Sequence, residues 1–261
     1  MLFDSHTHLD QSEFDANRAD ILTRAREAGV TQMVLVGTTL TASRRCVELA
    51  QDDETLYSAV GIQPNYVAES SAGDWDKIVQ MVDEPGVVAV GETGLDRHWD
   101  YTPFDQQQDY FDRHIRLAQK KNRPFIVHMR DCDDDILQAL REAHRRQANR
   151  GGELCGIMHS FTGSLEMANE CMEMGLQISF AGMVTFKKMH DLRSCAASIP
   201  VDRLLLETDS PYLSPEPVRS KRPNEPANLR YTANCIAESR GVSLEQLAAQ
   251  TTANARTLFG V

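Results

Sequence analysis

The sequence predicts an α/β fold: a single (β/α)8 TIM barrel filling residues 1–261, with two extra C-terminal helices. Three observations carry that reading. Short β-branched, apolar runs recur eight times. Longer stretches with helical spacing separate them, the alternation that builds a parallel sheet. No Gly-rich dinucleotide fingerprint follows the first run, which weighs against a doubly wound open sheet.

The elements follow in order. Residues 2–6, LFDSH, form the first strand, and the helical spacing of 18–28 returns the chain to QMVLVGT at 32–38. Residues 41–50 then read as a helix with Thr41 as a cap, leading to LYSAVGIQ at 56–63. Asp74 offers an oxygen to the helix predicted at 75–82, which precedes GVVAVGET at 86–93. A long helix at 104–121 leads to PFIVHM at 124–129, and Asp133 opens a helix over 133–147. LCGIMHSF at 154–161 is the sixth strand, followed by a helix at 165–174 capped by Ser164. LQISFAG at 176–182, a helix at 188–198 and RLLLETD at 203–209 complete eight units. A Pro-rich loop at 211–226 leads into the extra helices at 229–239 and 244–258. No internal repeat or low-complexity linker divides the chain, so one domain is expected.

With 41% hydrophobic and 25% charged residues, the chain has ordinary globular composition and can bury a sizeable core. Its net charge of −11, from 38 acidic against 27 Lys and Arg residues, excludes a protein that coats long nucleic acid electrostatically. A local basic patch is still compatible with that balance. The six cysteines are scattered without a CxxC pair, which points to a reducing compartment rather than a disulfide framework. Asp4 interrupts the N-terminal apolar residues, and no apolar run is long enough to span a bilayer, so a cytoplasmic location is expected.

The chemistry gathers at the predicted strand ends. His6 and His8 close the first strand, Glu92 the fourth, His128 the fifth, His159 the sixth and Asp209 the eighth. Side chains at i and i+2 of a strand share a face, so His6 and His8 converge. Each residue alone has a plainer explanation. HxH near a terminus is often a polar arm, His128 and His159 read singly as buried core histidines, Glu92 as a loop cap, and Asp209 as the start of a turn. Six coincidences at one barrel rim are improbable. Four imidazoles and two carboxylates suit Zn²⁺, Mn²⁺ or Mg²⁺, and they exceed the needs of one tetrahedral ion, so two divalent ions are expected. Glu92, whose two oxygens can face two ions, is the natural bridge; His6, His8 and Asp209 complete one site, and His128 and His159 the other. His98, His114, His144 and His190 fall in loops or helices and read as solvated or core residues.

The motifs DSHTHLD, VGETGLD, PFIVHMRD, MHSFTG, LLLETDSPYL and RPNEPANL closely resemble the series found in TatD-type metal-dependent deoxyribonucleases, among the amidohydrolase-like hydrolases. The resemblance runs from Phe3 to Phe259. It implies a TIM barrel, a two-metal centre at His6, His8, Glu92, His128, His159 and Asp209, and hydrolysis of nucleic-acid phosphodiesters. The usual activity is 3′ to 5′ exonuclease action on single-stranded DNA, extending to RNA; some relatives are assigned to deacylation of misacylated tRNA. Many members carry a histidine where this chain has Gln63 in GIQPN, and a cation there would be held more weakly. The loop RSKRPNEP also departs from the family's more compact RGKRNEP.

Glu92 and Asp209 are the expected catalytic residues, Glu92 as the bridge between ions that activate water and Asp209 as general base. Arg130, two residues beyond His128, either holds a non-bridging phosphate oxygen or pairs with Asp131, Asp133 or Glu92. Arg219, Lys221 and Arg222 read either as contacts to adjacent phosphates or as a solvated loop. Asn224 and Glu225 organise that loop, while Tyr212 and Phe161 either stack a terminal base or pack in the core. Two other readings stand beside this one. An amidohydrolase-like enzyme acting on small esters, amides or phosphoesters would use the same barrel, although no strand-end lysine is present to bridge metals. A non-catalytic metal-dependent binding protein is the other, against which a ligand set with room for solvent argues. The expected partners are nucleic-acid ends, with no membrane, no obligate protein partner, and a monomeric or weakly oligomeric state.

Overall fold

The computed structural model describes residues 1–149 and 151–261. Among them the chain alternates β1 (Leu2–Thr7), α1 (Arg18–Glu27), β2 (Val30–Val36), α2 (Leu40–Asp52), β3 (Leu56–Val60), α3 (Asp74–Met81), β4 (Val87–Asp96) and α4 (Phe104–Lys121). It continues through β5 (Phe125–Arg130), α5 (Asp133–Ala148), β6 (Gly156–Met158), α6 (Leu165–Glu173), β7 (Leu176–Phe180), α7 (His190–Ser198) and β8 (Leu204–Leu206). Two further helices, α8 (Leu229–Arg240) and α9 (Leu244–Phe259), end the chain as expected. The strands form one eight-stranded sheet in chain order, β1 to β8, with parallel pairing: the (β/α)8 architecture of a TIM barrel. No helix among the described residues is long and apolar enough to cross a membrane.

Residue contacts divide the chain into two compact units. The first comprises Met1–Leu35, His159–Ala168 and Ile178–Val261. Here β1 is buried along its whole length, and the Ser5 hydroxyl donates to the Leu206 carbonyl at 3.0 Å, tying β1 to β8. Helix α9 supports both strands: Phe259 stacks on Phe3 with ring centroids 5.7 Å apart, and the Asn254 amide donates to the Val201 and Leu204 carbonyls at 2.7 and 2.9 Å. A reciprocal capping box between Ser243 and Gln246 starts α9, satisfying two N–H groups that a helix terminus leaves open.

The second unit comprises Val36–Met158 and Asn169–Gln177. Its β4 and β5 pair with Gly94 opposite His128 and Asp96 opposite Arg130. Gly94 has φ +135°, and a Cβ there would lie 2.0 Å from the His128 carbonyl oxygen, so the close approach of the strands requires glycine. Beneath them, Ile62, Val67 and Ile78 form a buried cluster covered by Leu40, Trp75 and Tyr110.

Three local differences from the sequence reading have physical causes. Strand β4 continues to Asp96, because Gly94 admits the neighbouring strand instead of ending the run. Glu92 consequently sits inside the strand rather than at its end. β6 and β8 are only three residues each. Shortly beyond them the backbone turns to positive φ, 44° at Ser160 and 54° at Asp209, so neither strand can run on through the residues expected at its end. Thr39, not Thr41, caps α2 by accepting the Ala42 N–H at 3.1 Å; Gly73 and Cys132 occupy the cap positions of α3 and α5. Ser164 does act as expected, accepting the Met167 N–H at 3.2 Å.

Candidate metal centre

In the first unit the donors come from the end of β1, which holds His6, and from the segments that follow β1, β6 and β8. The backbone brings the first and last together: Asp209 N–H donates to the His6 carbonyl at 3.0 Å, and His8 N–H donates to the Ser210 carbonyl at 2.8 Å. The side chains converge in consequence. The Nε2 atoms of His6 and His8 are 3.1 Å apart, and Asp209 Oδ1 lies 3.9 Å from the first and 3.4 Å from the second. Ligand atoms bound to one ion at about 2.1 Å are themselves about 3.0 to 3.4 Å apart; the His6–His8 and His8–Asp209 separations fall in that range, and the His6–Asp209 separation is about half an ångström longer. Burial opposes ionisation of Asp209, but the hydrogen bond from His8 and the charges of His159, His6 and His8 outweigh it and hold the carboxyl below the ordinary carboxylate range.

His159, directly after β6, stacks on His6 with centroids 4.0 Å apart. Its Nδ1 lies 3.3 Å from Glu207 Oε1, which also accepts the Ser160 N–H at 2.5 Å. Glu207 Oε2 is buried with no hydrogen-bond partner among the described residues. Such an oxygen is costly to bury unless a cation or water meets it, and Glu207, His6 and His159 together form a second potential donor group. Below them, Asp4 is fully buried, and burial pushes its pKa up to about 7; it accepts from the backbone N–H and hydroxyl of Thr208 at 2.9 and 2.5 Å.

In the second unit, Glu92 and His128 meet across β4 and β5, with Glu92 Oε1 2.8 Å from His128 Nδ1. On the other side of the ring, His128 Nε2 is 3.0 Å from Asp96 Oδ2. A neutral imidazole carries only one N–H. A cation between Nδ1 and Glu92 would leave that single proton on Nε2 for Asp96, the pattern of a ligand histidine oriented by a carboxylate. Asp96 also accepts from the Asn65 side chain at 2.9 Å and from the backbone N–H groups of His98 and Trp99 at 2.8 and 3.1 Å. Burial works against its ionisation, but His128, Asn65 and Trp99 prevail and take its pKa down to about 2.

His6, His8, His159 and Asp209 thus assemble in the first unit, and Glu92 with His128 in the second. The sequence reading missed Glu207 and Asp96. Strand parity signals Asp96, which follows Glu92 by four residues in β4, whereas Glu207 lies beyond the end of β8, where alternation does not apply.

The remaining candidates fall elsewhere. Gln63 is buried and its Oε1 accepts the Asn65 N–H at 2.8 Å, capping a short 3-10 turn over Pro64–Glu69. Arg130 ends β5 and is exposed; no carboxylate lies within ion-pair distance of it among the described residues, so the expected pairing alternative falls away. Arg219 is 3.9 Å from Glu216 and lies over the Phe186 ring, while Lys221 and Arg222 are exposed. Asn224 organises its loop as expected, donating to the Thr208 and Tyr212 carbonyls at 3.0 and 2.7 Å. Phe161 packs in the core against Phe180, whereas Tyr212 is exposed and meets the edge of His8.

The chain is similar to known proteins along its whole length. The Bacillus subtilis protein described as the uncharacterized metal-dependent hydrolase YabD is 40% identical over the full length of both chains. The 3′-5′ ssDNA/RNA exonuclease TatD of Citrobacter koseri is 35% identical, covering 100% of this chain and 99% of that one. The crystal structure of YJJV, a TatD homologue from Escherichia coli, superposes with a TM-score of 0.91 at 29% identity, covering 100% and 98% of the two chains. Residues 3–260 match the family model described as TatD related DNase, and the chain belongs to that family of metal-dependent hydrolases.

Proposed function

We propose that the protein is a two-metal phosphodiesterase that shortens single-stranded DNA, and RNA, from the 3′ end. The observation that carries this reading is the convergence of His6 Nε2, His8 Nε2 and Asp209 Oδ1, buried and 3.1 to 3.9 Å from one another. The full-length likeness to an exonuclease TatD supports the choice of substrate.

His6, His8 and Asp209 would hold one ion, His128 and His159 the other, with Glu92 shared between them. Bound divalent ions supply Lewis acidity to a phosphoryl oxygen and lower the pKa of water. The chain's own groups do the rest. Asp209, held ionised, takes the proton of the attacking water as general base. Asp96 fixes the ring of His128, and Glu207 that of His159. Arg130, whose guanidinium lies 5.6 Å from the Trp99 ring centroid, would donate its N–H groups to a non-bridging phosphate oxygen, and Arg219, Lys221 and Arg222 would follow the adjacent phosphates. Gln63 serves the substrate side by fixing the loop after β3. The proposal takes residues 1–261 as one hydrolase domain, cytoplasmic and monomeric or weakly associating, acting on nucleic-acid ends.

The test is incubation of the protein with a 5′-labelled single-stranded oligonucleotide, with Mg²⁺, with Mn²⁺ and with chelator, beside a generic phosphodiester and a carboxylic ester. A metal-dependent ladder of products shortened from the 3′ end is expected. Hydrolysis of the ester with an intact oligonucleotide would overturn the reading.

A further inference from the structure

The loop after β4 carries an aromatic pair that the proposed chemistry does not use. Trp99 and Tyr101 are 41% and 60% exposed, unusual for rings of this size. They lie parallel, with centroids 5.3 Å apart and planes 9° from each other. The Arg130 guanidinium lies 5.6 Å from the Trp99 centroid. With the Tyr101 ring and the Arg130 guanidinium both set against Trp99, the cluster offers the outer face of Tyr101 as its open flat surface, beside a cation, in a chain whose net charge is −11.

Its position is fixed by a group already met. Asp96 Oδ1 accepts the backbone N–H groups of His98 and Trp99, while Oδ2 of the same carboxylate accepts from His128. The aromatic loop and the candidate ligand ring are thus anchored to one buried residue. Arg130 lies on the same face of β5 as His128, two residues further along, which is about 6 to 7 Å at the rise of a strand.

We infer that Trp99 and Tyr101 form a base-stacking platform for single-stranded nucleic acid, with Arg130 gripping the neighbouring phosphate; the inference rests on the nuclease reading above. A nucleobase continues the pile of rings, and any base serves because each has a π face. Arg130 keeps its N–H groups for phosphate while its charge meets the face of Trp99. Bases inside a duplex are already stacked on both faces and cannot reach such a surface, whereas the bases of a single strand can, so the platform favours single strands.

The experiment measures fluorescence anisotropy with labelled phosphorothioate hexathymidylate, which resists cleavage, and with a counterpart abasic at both terminal positions, using Mg²⁺-loaded protein. The wild type should prefer the base-bearing strand by about tenfold in Kd, and Tyr101→Ala or Trp99→Ala should erase that preference. Tyr101→Phe, which keeps the ring, should retain it. Both residues are exposed, and circular dichroism verifies that the variants fold. Equal binding of the two strands by the wild type, or full preference retained by both alanine variants, would overturn the platform. Shortening of oligonucleotides without base preference removes the platform alone; base preference without shortening upholds the platform and removes the nuclease reading.

Discussion

Asp96 accepts four hydrogen bonds, two backbone and two side-chain, while nearly fully buried. A carboxylate so satisfied behaves as a fixed anchor, and the ring it anchors is a candidate ligand. Asp96→Asn keeps the volume but loses the charge that holds Nε2–H. The expected result is a fall in divalent-ion affinity of about 10- to 100-fold, with little change in secondary structure. Isothermal titration with Mn²⁺ checks this; unchanged affinity would remove the orienting role. His114 is the residue where pH and fold stability meet. Its Nε2 accepts the Ile62 N–H at 3.0 Å and its Nδ1 donates to the Tyr110 carbonyl at 2.6 Å, so the neutral ring is fully satisfied. Burial lowers its pKa from 6.5 to about 4. The unfolded chain therefore binds a proton more readily between those values. The stabilising contribution of the neutral ring is complete above pH 6.5, falls as the pH drops toward 4, and is gone below that. By about pH 5 the loss is about 2 kcal/mol. His114→Leu leaves the Ile62 N–H without its acceptor and should be less stable near pH 8 by about 1 to 3 kcal/mol. Urea unfolding at both pH values should show the gap to wild type narrowing at the lower one.

Among the elements, β4 decides most about the site, since it carries Glu92, Gly94 and Asp96 on one face. Gly94→Ala would place a methyl carbon 2.0 Å from the His128 carbonyl oxygen, and backbone cannot yield as a side-chain tip does. The expected loss exceeds about 3 kcal/mol, read as a lower midpoint in urea unfolding. Gly29→Ala provides the contrast: nothing lies within 4 Å of its added carbon, so only the strain of φ +87° remains, about 1 kcal/mol. The same strand shows how far the elements were legible. VVAV is unmistakably a buried strand, and the alternation of such runs with amphipathic stretches gave the barrel. The extension through Gly94 to Asp96 was hidden, because a glycine in an apolar run reads as its end, and only the neighbouring strand reveals that it permits contact. Glu207 was hidden differently: in LLLETD the run itself suggests a strand, whereas β8 stops at Leu206, so strand alternation does not place the acidic side chains that follow it. Thr39 and Thr41 offer equal hydroxyls, and the choice between them depends on where the backbone leaves the extended region, which for Thr39 is at φ −141° and ψ 172°.

For the molecule as a whole, the separation between scaffold and chemistry can be tested through Glu92. It is buried in a strand whose other residues supply the core, but its own carboxylate meets His128 at 2.8 Å rather than packing apolar surface. The scaffold draws its stability from elsewhere: the apolar faces of eight strands, the cluster around Ile62 and the support of α9 beneath β1 and β8. Glu92→Ala should therefore leave the far-ultraviolet circular dichroism spectrum and cooperative unfolding intact. Divalent-dependent phosphodiester hydrolysis should fall by more than about a hundredfold, since losing a shared ligand costs more than losing a partner that merely orients one. Metal content measured after equilibration with Mn²⁺ should drop from two ions per chain toward one, because His6, His8 and Asp209 retain their convergence without Glu92. A folded variant that keeps both ions and wild-type turnover would exclude Glu92 as the bridge. A variant that loses one ion and all turnover ties the reaction to the pair of ions rather than to the three-residue group alone.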